Sequence, residues 1–215
     1  MTREYRHLAV SFILLVILML VSYHLIDQPL TMFCRSLAPT IIQVFQWITK
    51  LGKSEWYLVG FAVLFVFFKS VRRRQIAANR FLFLFVAVAG SGLLTDAIKP
   101  LVGRLRPKLL FEGHLYGFDP FHTGYEYNSL PSGHATTIFA LAAALSLFFP
   151  RWRLPLFTLA AIVGLSRIVV GAHYLSDVMA GAWVGVMTVP LLMLLCRHRN
   201  WPLFRAGLNR GDGHA

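Results

Sequence analysis

The chain has 215 residues and a formal net charge of +12, and 57% of its residues are hydrophobic whereas only 14% are charged. Soluble globular domains contain about 25% charged residues, so this composition excludes an ordinary soluble protein and indicates an integral membrane protein. The basic residues are dispersed between apolar segments instead of clustering on one polar domain, which argues against nucleic acid as a partner.

Six apolar segments approach the about 20 residues that cross a bilayer as a helix. They predict an all-α fold, a bundle of six transmembrane helices over residues 8–26, 55–68, 81–99, 133–149, 154–171 and 178–196. The length accommodates a single membrane-embedded domain, residues 1–215. Because no small-x-small cleavage site follows the first apolar segment, we expect it to remain as an anchor.

A segment with helical periodicity follows the first predicted span. Apolar residues recur at Ile41, Val44, Phe45, Ile48 and Leu51, with polar residues on the other side. This pattern predicts an amphipathic helix that lies in the outer membrane interface. A lid packed on the bundle and a role in admitting lipid both fit the pattern.

Basic residues set the predicted orientation. If the six helices alternate, one side collects Arg3, Arg6, Lys69, Arg72, Arg73, Arg74, Arg80, Arg151, Arg153, Arg197, Arg199, Arg205 and Arg210. The positive-inside rule makes this side the cytoplasm, with both termini there, and predicts a multi-pass protein of the inner (plasma) membrane. In this topology Cys34 lies in an outer loop and Cys196 at the inner end of the last span, too far apart for a disulfide.

Three short polar motifs stand at the outer ends of predicted helices three to six. They read Lys99-x6-Arg106-Pro107, Pro131-Ser132-Gly133-His134 and Ser166-Arg167-x5-His173-x3-Asp177. Charge is costly at the end of an apolar segment, so these residues are expected to be functional. Five of the cations that fall on the outer side lie in or beside the motifs, namely Lys99, Arg104, Arg106, Lys108 and Arg167.

The second motif is suited to bind a phosphate. Ser132 is a good N-cap, and Gly133 lets the backbone approach a bound group closely. The start of a helix offers free N–H groups and a positive dipole end. Lys99, Arg106 and Arg167 would supply the countercharge. Any one of these cations could instead extend to lipid headgroups, but together on one face they predict an anion site.

The histidines supply the groups that phosphoryl transfer requires. His173 and Asp177 are four residues apart, so on a helical turn the carboxylate can accept the Nδ1–H and leave Nε2 free to attack phosphorus. His134 could then protonate the departing alkoxide and later activate water, because histidine titrates near neutral pH. The same site therefore holds a predicted nucleophile, an orienting carboxylate and a general acid.

Other residues in the chain indicate structural roles. Asp96 lies one helical turn before Lys99, which favours an ion pair with that lysine over direct catalysis. Gly181-x3-Gly185 is a small-x3-small pair and predicts close helix packing. No metal site is expected, since no recognised ligand spacing matches the polar loop residues Glu112, His114, Asp119, His122 and Glu126.

The complete set of motifs resembles the type 2 phosphatidic acid phosphatase superfamily, and the helix order resembles its bacterial membrane members. The resemblance covers helices three to six closely and the remainder in outline. It implies a metal-independent phosphatase, with no cofactor, in which His173 is the nucleophile, Asp177 its orienting partner and His134 the general acid. It also implies a phosphate-binding set of Lys99, Arg106, Ser132, Gly133 and Arg167.

The function expected from these features is removal of a phosphate from a membrane lipid at the outer, periplasmic face. Phosphatidate, phosphatidylglycerophosphate, undecaprenyl diphosphate and lipid A are candidate substrates, and residues 108–121 loosely resemble bacterial lipid A 1-phosphatases. Transfer of the phosphate to a second lipid would use the same residues. A membrane haem or electron-transfer protein with His134 and His173 as axial ligands is the alternative from another class, and it leaves the cations unexplained.

Overall fold

The computed structural model describes residues 3–122, 124–199 and 201–203. These residues form helices, turns and loops, together with an isolated β-bridge between Arg104 and Phe118. The predicted all-α fold is confirmed. The cations Arg205 and Arg210, which contributed to the predicted orientation, lie outside the described residues.

The helices follow one another closely along the chain. In order they are α1 (Arg3–Val21), α2 (Asp27–Arg35), α3 (Pro39–Ile48), α4 (Ser54–Val66), α5 (Gln75–Val102), α6 (Pro107–Gly113), α7 (Gly133–Phe148), α8 (Arg153–Val169) and α9 (Leu175–His198). Single π-helical turns join α1 to α2 and extend α4, and 3-10 turns lie at Thr49–Gly52, Tyr125–Tyr127 and Pro150–Trp152.

Five helical segments of the described chain are long and apolar enough to cross a membrane. They are Ala9–Arg35, Pro39–Val71, Gln75–Val102, Pro150–Val169 and Leu175–His198. Helix α7 is also apolar but has only 16 residues. The chain is thus a multi-pass membrane protein, whereas the sixth span stays a prediction.

The first predicted boundary is wrong. The helix does not end at residue 26 but continues through the π-helical turn Ser22–Ile26 into α2, which ends at Arg35. Asp27 interrupts the apolar pattern at this point, yet it is buried and hydrogen-bonded inside the protein. Cys34 therefore lies in a helix and is buried, instead of standing in an outer loop, and Cys34 and Cys196 are both unbonded.

The other predicted helices are found with shifted ends. Helix α5 is nine residues longer than the predicted third span, 28 residues instead of the 19 of 81–99. Helices α7, α8 and α9 match the last three predictions to within about three residues at each end. A helix, α3, also occupies the stretch after the first span. Its Phe45 and Ile48 pack against the bundle, while Ile41 and Val44 are exposed.

Helix α7 is the centre of the bundle, because it packs against α5, α8 and α9. Its alanine-rich sequence leaves room for large side chains from the neighbouring helices. The core around it contains Phe83 and Val88 of α5, Val163 of α8 and Val189 of α9, all buried.

The predicted close packing at Gly181-x3-Gly185 is confirmed. A Cβ atom on Gly181 would lie 2.4 Å from the Ser132 carbonyl oxygen, and one on Gly185 would lie 2.4 Å from the Thr136 carbonyl oxygen. Both distances are too short for any side chain. The glycines therefore allow the backbones of α7 and α9 to touch.

We expect Gly185→Ala to lower the thermal stability of the purified protein. The added methyl group meets the backbone of α7, and overpacking of this kind typically costs about 1–3 kcal/mol. Thermal unfolding of the detergent-solubilised protein measures the effect.

Gly90→Ala is the matched control, because a Cβ atom at Gly90 of α5 meets nothing within 4 Å. This variant should unfold at the same temperature as the parent or above it, since alanine is the better helix former by about 1 kcal/mol. Equal melting temperatures for the two variants would contradict the packing argument.

Candidate active site

The three motifs meet at one end of the bundle. Helices α5 and α8 end there, while α7 and α9 begin there. The Ser132 N–H donates to the Asp177 carbonyl oxygen at 3.0 Å, and Arg106 Nη1 lies 3.5 Å from His173 Nε2. A Cβ atom on Gly133 would lie 3.7 Å from Lys99 Nζ. Residues up to 78 positions apart in sequence thus surround one small volume.

His173 is buried and held in one tautomer. Its Nδ1 lies 2.8 Å from the carbonyl oxygen of Ser129. Because a carbonyl only accepts hydrogen bonds, this contact assigns the proton of the neutral ring to Nδ1. Nε2 is then the unprotonated atom, and it faces Arg106. The ring has the form that a nucleophilic histidine requires.

Asp177 acts on His173 less directly than expected. Its Oδ2 lies 3.7 Å from Nδ1, farther than the carbonyl oxygen of Ser129. The same Oδ2 accepts hydrogen bonds from the Ser129 hydroxyl at 2.6 Å and from the Tyr174 N–H at 2.9 Å. Asp177 therefore also holds Ser129, whose carbonyl holds the imidazole. The sequence analysis missed Ser129, because it lies outside all three motifs.

The surroundings of His173 keep its ring neutral. Burial lowers the pKa of His173 to about 4, because the charged imidazolium would lose its hydration. Asp177 opposes this effect by attracting the imidazolium, while the charges of Arg106 and Arg167 reinforce it. The lone pair on Nε2 is consequently available at neutral pH.

Two buried groups of the predicted phosphate-binding set have no hydrogen-bond partner among the described residues. They are the Ser132 hydroxyl and the Nε of Arg167. Ser132 is the N-cap residue of α7, as predicted, but its side chain makes no capping bond. An unpaired buried donor costs about 1–3 kcal/mol, which a bound anion would recover.

The cations contribute in different ways. Lys99 pairs with Asp96 at 2.7 Å, which confirms the predicted ion pair, and its side chain remains 20% exposed. Arg106 donates to three carbonyl oxygens, those of Tyr125, Ala172 and Asn128. It therefore fixes the loop before α7 while its charge faces His173. Its Nη1 also faces the unprotonated Nε2 of His173, at 3.5 Å.

The turn between α3 and α4 completes the site. Arg167 Nη1 donates to Thr49 Oγ1 at 2.6 Å. A Cβ atom on Gly52 would lie 2.8 Å from the Cβ and Cδ2 atoms of His134, so this position requires glycine. His134 is the second residue of α7, directly after Gly133. Neither Thr49 nor Gly52 carries a signal that sequence reasoning could have used.

Comparison with known proteins identifies a family and several relatives. The family model described as the PAP2 superfamily matches residues 80–201. A lipid A 1-phosphatase of Rhizobium johnstonii is 38% identical over 130 residues, which are 56% of this chain and 53% of that protein. An undecaprenyl-diphosphatase of Sulfolobus acidocaldarius is 30% identical over 149 residues, 67% of each chain.

A solved structure shares the fold. The PAP2 type phosphatidylglycerolphosphate phosphatase from Bacillus subtilis superposes with a TM-score of 0.63 at 21% identity, covering 90% of this chain and 96% of the other. The chain spans little more than half the length of the lipid A 1-phosphatases of Rhizobium johnstonii and Rhizobium etli, 53% and 56%.

We expect His173 to remain a neutral Nδ1–H tautomer at pH 5.5 in phosphate-free buffer. A histidine with the usual pKa of about 6.5 would be about nine-tenths protonated there. Because its folded-state pKa is depressed, His173 stabilises the fold above pH 6.5, and this contribution is lost as the pH falls towards 4. Nitrogen-15 NMR of histidine-labelled protein, assigned with His173→Gln, measures both tautomer and charge. A charged ring at pH 5.5 would disprove the burial argument.

Proposed function

Because this chain belongs to the PAP2 superfamily, we propose that it is an integral-membrane lipid phosphatase that forms a phosphohistidine on His173. One observation carries the proposal. The Ser132 hydroxyl and the Arg167 Nε are buried and have no hydrogen-bond partner in the part of the chain that the structure describes, at the same end of the bundle as a histidine whose Nε2 is unprotonated. Donors of this kind suit a phosphoryl group, whose transfer depends on positioning and charge stabilisation.

In the first step, Nε2 of His173 attacks the phosphorus atom. The N–P bond forms while the bond to the lipid oxygen breaks. His134, which carries a positive charge while the anionic phosphate is bound beside it, donates a proton to that oxygen and becomes neutral. The phosphoryl oxygens are held by Ser132, by the N–H groups at the start of α7 and by Arg167. Lys99 and Arg106 add positive charge. Gly133, the other residue of the predicted phosphate-binding set, has no side chain, so the phosphate can approach both the first turn of α7 and Lys99.

In the second step, water attacks the phosphohistidine. His134, now neutral, accepts a proton from the water, the N–P bond breaks and orthophosphate leaves. Asp177 and Ser129 keep the imidazole in place through both steps. This mechanism assigns all charge stabilisation to side chains and backbone N–H groups, so it requires neither a metal ion nor a cofactor.

Lipid A 1-phosphate is the first substrate to test, because the lipid A 1-phosphatase of Rhizobium johnstonii shares 38% identity with the chain over 130 residues. The relatives also include an undecaprenyl-diphosphatase, and a solved structure with the same fold is a phosphatidylglycerolphosphate phosphatase. The test panel therefore contains these three lipid classes and phosphatidate.

The proposed topology has six spans. Helix α7 crosses the membrane as the fourth of them in chain order, and α3 lies in the outer interface. Both termini and the cations at Lys69 and Arg72 then lie in the cytoplasm, and the site faces the periplasm across the inner membrane. Residues 1–215 form one domain in this scheme.

Cysteine labelling tests this topology. Lys108→Cys should react with an impermeant maleimide on intact cells, and Arg72→Cys should not. Labelling of Arg72→Cys but not of Lys108→Cys would show that the topology is the opposite of the one proposed.

We expect detergent-purified protein to release orthophosphate from at least one lipid of the panel in the presence of EDTA. His173→Ala should abolish release, because no group remains to accept the phosphoryl group. Phosphate release per mole of folded protein measures the effect. Activity that EDTA removes, or that survives in His173→Ala, would contradict the mechanism.

Formation of the phosphoenzyme distinguishes the proposed roles of the two histidines. With a substrate that has a good leaving group, His134→Ala should still form acid-labile phosphoenzyme, whereas His173→Ala should form none. Labelled phosphate that moves to a second lipid instead of into solution would establish the phosphotransferase alternative. Equal loss of phosphoenzyme in both variants would contradict the assigned roles.

A further inference from the structure

A buried ion cluster that the three motifs do not explain lies behind Asp177. Arg104 is 1% exposed, and Asp27 and Asp177 are 0% exposed. Arg104 Nη2 lies 2.6 Å from Asp27 Oδ2, and Arg104 Nη1 lies 3.0 Å from Asp177 Oδ1. Two carboxylates thus share one guanidinium, and the cluster carries a net negative charge. Burying charges is costly, and breaking such a pair by removing one partner leaves an uncompensated buried charge.

The two oxygens of Asp177 face opposite sides. Oδ2 faces the Ser129 hydroxyl and the His173 ring. Oδ1 accepts no hydrogen bond from the described residues, and its ion-pair partner is Arg104. The guanidinium therefore supports the carboxylate from the side away from the imidazole. Any rotation of the carboxylate towards Arg104 would release Ser129, and with it the carbonyl that holds Nδ1.

Asp27 connects this cluster to the first helix. Its Oδ1 accepts hydrogen bonds from the Ser22 hydroxyl at 2.7 Å and from the Ser176 N–H at 3.1 Å. The Ser176 hydroxyl donates to its Oδ2. Asp27 therefore caps the first turn of α9, the turn that carries Asp177, from a helix about 150 residues away in sequence. Because Asp27 also pairs with Arg104, the guanidinium is not paired with Asp177 alone.

Arg104 remains charged in this setting. Burial by itself would lower the pKa of Arg104, but the carboxylates of Asp177 and Asp27 together raise it above its usual value. The guanidinium also donates to the Tyr116 hydroxyl at 3.2 Å and to the Ser176 hydroxyl. A permanent positive charge is thus held between the two carboxylates.

We propose that Asp27 and Arg104 are positioning residues for phosphoryl transfer, which hold the Asp177 carboxylate in the orientation and with the net charge that His173 requires. The ring becomes positively charged when it is phosphorylated, so the negative cluster behind it stabilises that state. Without the charge of Asp27, Arg104 would pair with Asp177 alone, and the cluster would become neutral. The inference rests on the proposed phosphatase function.

Asp27→Asn is the decisive variant, because it keeps the size of the side chain and an acceptor for the Ser176 N–H. Partners that stand behind a metal-bound histidine commonly change activity by about 10- to 100-fold when altered, and we expect the same range for a partner behind a nucleophilic histidine. We expect kcat to fall by about that factor with KM within about twofold, since Asp27 does not reach the lipid. Asp119→Asn makes the same chemical change at an exposed loop residue and should match the parent.

Nitrogen-15 NMR at pH 7 provides a reading that does not depend on any lipid. In the parent protein His173 should be the Nδ1–H tautomer, whereas Asp27→Asn should give a mixture with the Nε2–H form. If the parent hydrolyses no lipid of the panel, the proposed function fails, and the tautomer still decides the role of Asp27. An unchanged tautomer, or an unchanged kcat in an active enzyme, would overturn the proposal.

A purely structural role predicts a different pattern. The double variant Asp27→Asn with Arg104→Gln removes both charges together, which restores the charge balance of the buried site and covers the case in which the single variant does not fold. The net charge behind His173 is then that of the parent, but Oδ1 of Asp177 has lost Arg104 as its partner. We therefore expect this protein to fold with a kcat still below that of the parent and with some Nε2–H form of His173. Recovery of the parent kcat and tautomer would show that the pair serves only the fold and would overturn the proposal.

Discussion

The hydrogen bond from the Ser132 N–H to the Asp177 carbonyl, at 3.0 Å, joins the first turns of α7 and α9. This contact is attainable only because Gly181 and Gly185 let the two backbones touch. It brings two helix starts, and with them the positive ends of two helix dipoles, to one point. The cations of the other motifs add to a field that the main chain has already established. An anion is the ligand that such a junction favours.

The sequence predicts this junction well, for physical reasons. Membrane spans are long apolar segments, so the order of the helices can be read from hydropathy. Charged residues at the ends of such segments are rare enough to stand out, which is why Lys99, Arg106 and Arg167 could be selected. Once the helices alternate, their ends must fall on the same side. The structure accordingly brings the predicted phosphate-binding residues and both histidines to one end of the bundle.

Contacts between distant segments could not be predicted in this way. Ser129 contributes a carbonyl group, and backbone carbonyls have no residue signature. The first predicted span ends at residue 26, just before Asp27, and a carboxylate inside an apolar segment is costly. Asp27 lies inside a continuous helix because Ser22, Ser176 and Arg104 satisfy it there. Local periodicity says nothing about partners that are 77 or 149 residues away.

The region outside the family match is part of the site for the same reason. The family model covers residues 80–201, yet Asp27, Thr49 and Gly52 all precede that range. Thr49 holds Arg167, Gly52 makes room for His134, and Asp27 pairs with the arginine that supports Asp177. In the proposed mechanism the matched region supplies the groups that react with a phosphate, and the segment before it supplies the contacts that hold three of them. A substitution in the segment before residue 80 is therefore expected to alter the proposed reaction even where every motif stays intact.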